Sequence, residues 1–280
     1  MSNANTQGTL SPKEEILARV RESIACNSHI PSIKEGEPRF SQPLHLSGEG
    51  KEALLQDFTL NHTNNKSLII ESSKGDLPSA IAKILAENDS EISASASNGN
   101  AGNGGVGNGS VGNGAGGASA GNGSAGENLK EILCNCDLDC ELEAVQNALK
   151  QANLQSYALL PYTQSVDSMR DRLFGISASI VQARCGIADL GVIALSSNEN
   201  APRLSSLITN ICIYLLDKNH IVPNMLEGIK FAKEYERKRS GSEILPSNII
   251  LVAGPSRTAD IELQTVFGVH GPRKTYTVLY

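Results

Sequence analysis

The chain holds 280 residues with a formal net charge of −6, which argues against a protein that tracks nucleic-acid phosphates with a basic face. Six cysteines in this length make no disulfide framework and read as thiols or metal ligands in a reducing compartment. No apolar run approaches the ~20 residues of a membrane helix, and the opening MSNANTQGTL lacks the basic-then-apolar order of a signal peptide, so a soluble, cytoplasmic protein is expected.

Ser11-Pro12-Lys13-Glu14 is a capping box with proline at the first helical position. Ile16, Leu17, Val20 and Ile24 then recur on one face, so a helix opens the chain and stops before Pro31. Residues 32–48, punctuated by Pro38, Pro43 and Gly48, read as irregular. An apolar-periodic stretch near 53–60, a short apolar run at 67–71 and a helix near 78–87 follow. The helix carries Ile81, Ile84 and Leu85 on one side. This is the rhythm of an α/β unit.

Residues 98–126 interrupt it with 13 Gly, 6 Asn, 5 Ala, 3 Ser and 2 Val and no charge. The segment matches G-x-G-x-x-G from Gly102 to Gly107, but no strand precedes the match and no helix follows directly, so it is rejected as a nucleotide loop. The composition predicts a flexible tether, whose closure entropy grows only slowly with length. Without it the composition is that of an ordinary globular chain, and disorder throughout is excluded.

Beyond the tether, Leu129, Ile132, Leu133, Cys136 and Cys140 keep helical spacing, and Leu142, Val145 and Leu149 continue it. Strands are predicted at 157–160, 179–183 and 191–196. The run 204–216 is apolar and becomes β-branched toward its end. A basic-rich helix runs from Pro223 to Arg239. The aliphatic run 249–253 suits a strand buried on both faces. Residues 254–257 read as a turn, Thr258 as the cap of a short helix, and 275–279 as the strand that closes the sheet.

Four constellations carry chemistry. At Gly254-Pro255-Ser256-Arg257-Thr258-Ala259-Asp260 a strand, turn and helix start would bring free N–H groups and Arg257 to an anion. Equally, Thr258 caps the helix while Asp260 and Glu262 complement its dipole. At Gly268-Val269-His270-Gly271-Pro272, His270 is either an acid–base group or a turn histidine bonded to a carbonyl. Cys134, Cys136 and Cys140 lie in seven residues with two carboxylates among them. They fit no C-x₂-C spacing, and core-facing thiols on a helix are the plainer reading. Asp189 and Arg203 stand at loop positions, where they bind a polar substrate or pair with each other.

These residues, taken together, resemble a known family. The words Gly186-Ile187-Ala188-Asp189-Leu190-Gly191-Val192-Ile193, Arg203-Leu204-Ser205-Ser206-Leu207, Ile221-Val222-Pro223, Gly254 to Glu262 and Gly268 to Pro272 resemble, in order and spacing, the lactate-utilisation protein C family, or LUD domain. Ile16 to Arg21 is similar to that family's first helix. The 98–126 segment, the Cys134–Cys140 cluster and Val192, where threonine is common, depart from it.

The resemblance implies an α/β fold: a largely parallel sheet flanked by helices, similar to the sugar-phosphate isomerase and CoA-transferase group. It implies one domain of that type, built from 1–97 and 127–280 around the 98–126 insertion. It implies a part in oxidising L-lactate to pyruvate with iron–sulfur partner proteins, whose clusters take the electrons; this chain's own residues present no convincing site for a cofactor or metal. In that reading Arg203 and Arg257 hold a small carboxylate, with Asp189, Ser256 and Thr258 beside them, and His270 and Asp260 handle a proton. The alternatives are an enzyme of the same fold group acting on a phosphorylated or acyl-CoA substrate, and a non-catalytic scaffold for iron–sulfur partners.

Overall fold

The computed structural model describes residues 12–26, 50–98, 129–163, 166–173, 175–259, 265–267 and 271–280. The chain divides into two units, Met1–Pro43 and Leu44–Tyr280. The first holds α1 (Pro12–Cys26), which starts at the proline of the capping box. The stretch 32–48 and, Asn98 apart, the glycine-rich 98–126 segment lie outside the described residues.

The second unit begins with α2 (Lys51–Asn64) and β1 (Leu68–Glu71), followed by α3 (Leu77–Glu87) and α4 (Asp89–Asn98). In α3, Leu77, Ile81, Ile84 and Leu85 stack along one fully buried face. Pro78 occupies the first turn, where its missing N–H has no partner to lose. Next come β2 (Lys130–Cys134), α5 (Leu142–Gln151), β3 (Tyr157–Pro161) and α6 (Val166–Leu173). Then β4 (Ala178–Gln182), β5 (Cys185–Ile187), β6 (Val192–Ser196), β7 (Ile211–Leu216) and β8 (Ile221–Val222) run in succession. The helix α7 (Met225–Ser240) is capped by Asn224, whose side chain accepts the Glu227 N–H at 3.0 Å. The chain ends with β9 (Ile249–Val252), β10 (Arg257–Ala259), β11 (Thr265–Phe267) and β12 (Lys274–Leu279).

Six strands form a sheet in the order β1-β12-β7-β4-β2-β3, every described pair parallel. Its central strands β4 and β7 are buried along their whole length, which is why they read as near-continuous apolar runs. On one face α3, α4 and α5 pack through Ile84, Ile92, Val145 and Leu149. On the other, α2 packs through Phe58, and α6 through Met169 and Leu173. The crossover from β2 to β3 uses α5, and that from β3 to β4 uses α6, so successive connections leave β2 and β4 toward opposite faces. A parallel sheet opens a crevice at that switch, outside the carboxyl ends of the two strands.

A second, smaller sheet, β8-β5-β6-β9, lies on the α2 side, with Ile193, Leu195 and Ile250 in that face's core. Here β6 runs antiparallel to both β5 and β9. The expected α/β architecture with a largely parallel sheet and flanking helices is therefore present.

Six local expectations are corrected. The helix predicted through Ile132, Leu133 and Cys136 is instead β2 and the turn after it. A run flanked by neighbours on both sides buries its side chains on both faces, and helical spacing inside so short a run was coincidence. Residues 204–206 belong to a 3-10 turn, Arg203–Ser206, and only 211–216 is strand. Cys185–Ile187, between the strands predicted at 179–183 and 191–196, is itself a strand, β5. β9 is an edge strand of the small sheet, half-buried with Leu251 exposed, not a strand buried on both faces. And Arg257-Thr258-Ala259 is no helix start: it pairs antiparallel with β11, Thr258 opposite Val266. β12, finally, lies inside the sheet between β1 and β7.

Candidate functional site

Where β2 ends, Asn135 enters the crevice. Its N–H donates to Ile180 O at 3.1 Å, and Cys136 N–H donates to Asn200 O at 2.7 Å, so the backbone of the turn is tied to β4 on one side and to the 198–201 loop on the other. Asn198 holds that loop by accepting from the Asn200 and Ala201 N–H groups at 2.8 and 2.9 Å. The 3-10 turn Arg203–Ser206 closes the far side, braced by Ser205 Oγ donating to Pro202 O and Ser206 Oγ donating to Arg203 O.

Between these elements lies a narrow cleft with an enclosed volume of about 10 Å3, room for one water, lined by Asn135, Gln182, Ser196, Ser197, Arg203 and Ile250 among others. Some of its polar groups are fully used. Gln182 donates to Leu215 O and Tyr280 Oη and accepts from the Asp139 N–H. Ser196 Oγ accepts from Arg184 Nε and donates to Glu236. Others are not. Asn135 Oδ1 and Ser197 Oγ are buried without a hydrogen-bond partner, in residues only 2% and 8% exposed. Arg203 is exposed at the cleft, and its guanidinium pairs with no described residue.

Behind Ser196 stands Arg184, 0% exposed. Its guanidinium meets Asp137 at 2.5 Å and Glu236 at 3.2 Å and lies 4.8 Å over the Tyr235 ring. Glu236 also binds Arg239 at 2.8 Å, which in turn holds Glu199. The network joins the turn after β2, the β4–β5 corner, the end of β6 and α7. Burial raises the Asp137 carboxyl above its ordinary range despite Arg184. Burial also works to raise Glu236, but hydrogen bonds from Ser196 and Arg239 and the charge of Arg184 hold it below its ordinary value.

The opposite end of the small sheet is built differently. His62 is wholly buried and stacked on Phe58 at 4.9 Å. Its Nδ1 meets Gly191 O at 2.7 Å and its Nε2 meets Thr277 Oγ1 at 2.8 Å. Asn65 donates to Leu190 O and Gly191 O, and Asn61 to Ala188 O. Ser67 and Thr275 share a hydroxyl bond of 2.7 Å. Gly191 has φ +58°, and a Cβ there would sit 2.2 Å from His62 N; Gly254 has φ +111°, and a Cβ would sit 2.3 Å from Asn65 O. The Asp189 and Gly254 turns thus close on the same asparagine, at the amino end of the parallel strands.

The site residues predicted from sequence separate accordingly. Asp189 lies in the turn after β5, its Oδ1 buried without a partner and its carboxyl raised by burial. Ser256 and Arg257 belong to the Gly254 side, where the Ser256 N–H donates to Pro272 O at 2.8 Å and Arg257 is exposed. Thr258 is in β10. Arg203 stands at the other end of β6, about 13 Å along the strand by its rise per residue. Asp189 and Arg203 therefore neither pair nor share a pocket. Asp260 and His270 lie outside the described residues.

The cysteine cluster also divides. Cys134 is buried in the α5-side core, Cys136 is exposed, and Cys140 is half-buried with its thiol pushed up to about 11 by burial. Among the described residues no group of three His, Cys, Asp or Glu is placed to hold a metal. Asn135, Ser197 and Arg184 were missed in the sequence. Asn135 was hidden inside the cysteine motif, although a polar residue directly after a buried strand is the available signal.

The family model of the LUD domain matches residues 55–280. The chain belongs to that family. Among similar proteins, an uncharacterized protein (NMB1437) of Neisseria meningitidis serogroup B is 32% identical over 127 residues, 45% of this chain and 51% of that one. A lactate utilization protein C of Bacillus licheniformis is 38% identical over 88 residues, 31% of this chain and 35% of that one. Another, of Halalkalibacterium halodurans, is 37% identical over 94 residues, 33% and 40% of the two chains. The matched segment thus spans about half or less of these relatives. A crystal structure of a DUF162 family protein from Deinococcus radiodurans is 15% identical, with a TM-score of 0.47 over 83% of this chain and 99% of that chain.

Proposed function

We propose that this chain serves L-lactate utilisation, meeting a small carboxylate through Arg203 at the mouth of the cleft between β2 and β4, while iron–sulfur partner proteins accept the electrons. The observation that carries the reading is the unpaired Arg203 guanidinium beside buried, unpaired Asn135 and Ser197 at the carboxyl-end switch of a parallel sheet. Relatives bearing the name lactate utilization protein C support it. Oxidising a hydroxy acid to an oxo acid removes an electron pair, so a redox partner is required. A guanidinium suits a carboxylate through paired N–H donors.

Deleting the gene in the source organism should abolish growth on L-lactate as sole carbon source and leave growth on pyruvate intact. Affinity capture of the full chain should bring down proteins containing iron and acid-labile sulfide. Normal growth on L-lactate, with no such partner recovered, would overturn the proposal.

The alternative of a phosphorylated or acyl-CoA substrate loses its main support, because the helix start expected to cradle phosphate at Thr258 is a strand. The scaffold alternative rested on three clustered thiols, and one of these is buried in the core.

A further inference from the structure

We infer that the outer edge of β9 docks a second copy of this chain, the two β9 strands pairing antiparallel about a two-fold axis at Leu251. The inference goes beyond the proposed function and does not depend on it.

The six- and four-stranded sheets end in four edge strands, β1 and β3 in the first and β8 and β9 in the second. An open edge offers N–H and C=O groups to any strand that reaches it, and charges, prolines or shortness usually guard it. β8 has only two residues. β1 follows Lys66 and ends in Glu71. β3 ends in Pro161. β9 carries none of these guards. It is four aliphatic residues inside the run 244–256, which holds no charge, and the nearest prolines, Pro246 and Pro255, lie outside the strand. Among the described residues its only strand partner is β6. Leu251 is 37% exposed, and Ile244 and Leu245, in the connection leading into β9, are 81% and 39% exposed.

The occupant follows from charge and register. With a net charge of −6, two copies repel where acidic surfaces meet, and an uncharged edge is where they can approach. Ile250 and Val252 pack into the core with Ile193 and Leu195, so alternation turns Ile249 and Leu251 to the other face, where α7 packs on β5 and β6. A two-fold axis through the sheet keeps the buried faces of both copies on one side only if residues of like orientation pair. An axis at Leu251 does this: Leu251 meets the partner's Leu251, Ile250 the partner's Val252, and Ile249 the partner's Ala253. The Ser197 N–H donates to Asn248 O at 3.0 Å, so by the alternation of the ladder the N–H and C=O of Ile250 and Val252 face β6 and those of Ile249 and Leu251 face outward. Leu251 and its counterpart can therefore exchange both backbone bonds. The pairing is short, which makes the dimer weak and reversible, at the low end of specific interfaces.

The test is analytical ultracentrifugation of the purified full chain from about 1 to 100 μM. The expected result is a monomer–dimer equilibrium that shifts with concentration and stops at the dimer. Leu251→Lys should weaken it about tenfold or more and, since that side chain is partly exposed, melt like the parent in dilute solution. Leu251→Cys, oxidised with diamide, should form a covalent dimer, because Cα atoms of a hydrogen-bonded pair lie about 5.5 Å apart, within disulfide reach. The parent and Leu226→Cys, exposed on α7, should not. The crosslinking result stands even if Leu251→Lys folds poorly. A monomer at every concentration, open-ended assemblies in place of a dimer, a dimer unmoved by Leu251→Lys, or crosslinking of Leu251→Cys no faster than that of Leu226→Cys overturns the inference.

Discussion

The two ends of the small sheet use polar residues in contrasting ways. At the amino end of the parallel strands, His62, Asn61 and Asn65 are spent on closing turns: the His62 ring nitrogens and the Asn61 and Asn65 amide N–H groups meet the 188–191 turn or β12. At the carboxyl end, a buried ion network holds the wall while Asn135, Ser197 and Arg203 are left over. Both regions are polar and both lie beneath the same sheet. Unpaired groups occur at both ends, since Asp189 Oδ1 lies at the first and Asp137 Oδ1 and Arg184 Nη1 lie within the network at the second, and each costs stability unless something else repays it.

Removing one partner of the ion network should have the largest effect. Arg184→Ala leaves Asp137 and Glu236 buried without their shared cation and should cost about 3–5 kcal/mol. Urea unfolding would read this as a lower midpoint, and an unchanged midpoint would mean that the network is not closed as described. Next, Gly191→Ala and Gly254→Ala each force a Cβ onto backbone atoms at positive φ and should cost about 2–4 kcal/mol. A milder loss at Gly254 than at Gly191 would place the weaker joint at the Gly254 turn.

His62 gives the third test, through pH. Burial lowers its pKa below the ordinary 6.5, against a smaller opposing effect of the Gly191 carbonyl. The unfolded chain therefore binds a proton near pH 6.5 that the folded chain still refuses. The stabilisation is complete above pH 6.5 and is lost as pH falls from there through the lower folded value. His62→Leu should flatten that part of the stability–pH curve and cost about 1–3 kcal/mol at pH 8, where Gly191 O and Thr277 Oγ1 lose their partner. A curve of unchanged slope in the variant would assign the pH dependence elsewhere.

The smallest effect separates a joint from a site within adjacent residues. Ser196→Ala breaks bonds to Arg184 and Glu236 and should cost about 1–3 kcal/mol, whereas Ser197→Ala should change stability by less than about 0.5 kcal/mol. Comparable losses in both would place Ser197 in the structural network and remove it from the cleft.

Periodicity and punctuation were enough for α3, α5, β3, β4, β6 and the α/β class, because their apolar spacing is set by the surface each buries. The family resemblance was legible in the words from Gly186 to Pro272. The Arg257 segment was misread because a hydroxyl-rich run after a turn suits a helix cap and a hairpin equally; pairing with β11 decided between them. Arg203, singled out as a loop arginine, lies in the 3-10 turn at the cleft, and its expected companion Asp189 is not its neighbour.

Local chemistry in the chain therefore determined many of the strands and helices and which residues are able to bind an anion, while pairing in the sheets decided β2 and β10. The fold alone decided which of them meet. Whether Asn135 is free or satisfied depends on Asn200 and Ile180, 45 or more residues away in the chain, through the backbone bonds that orient its turn. That is a property of three-dimensional proximity, set by the order of strands in the sheet, and no spacing within one segment encodes it.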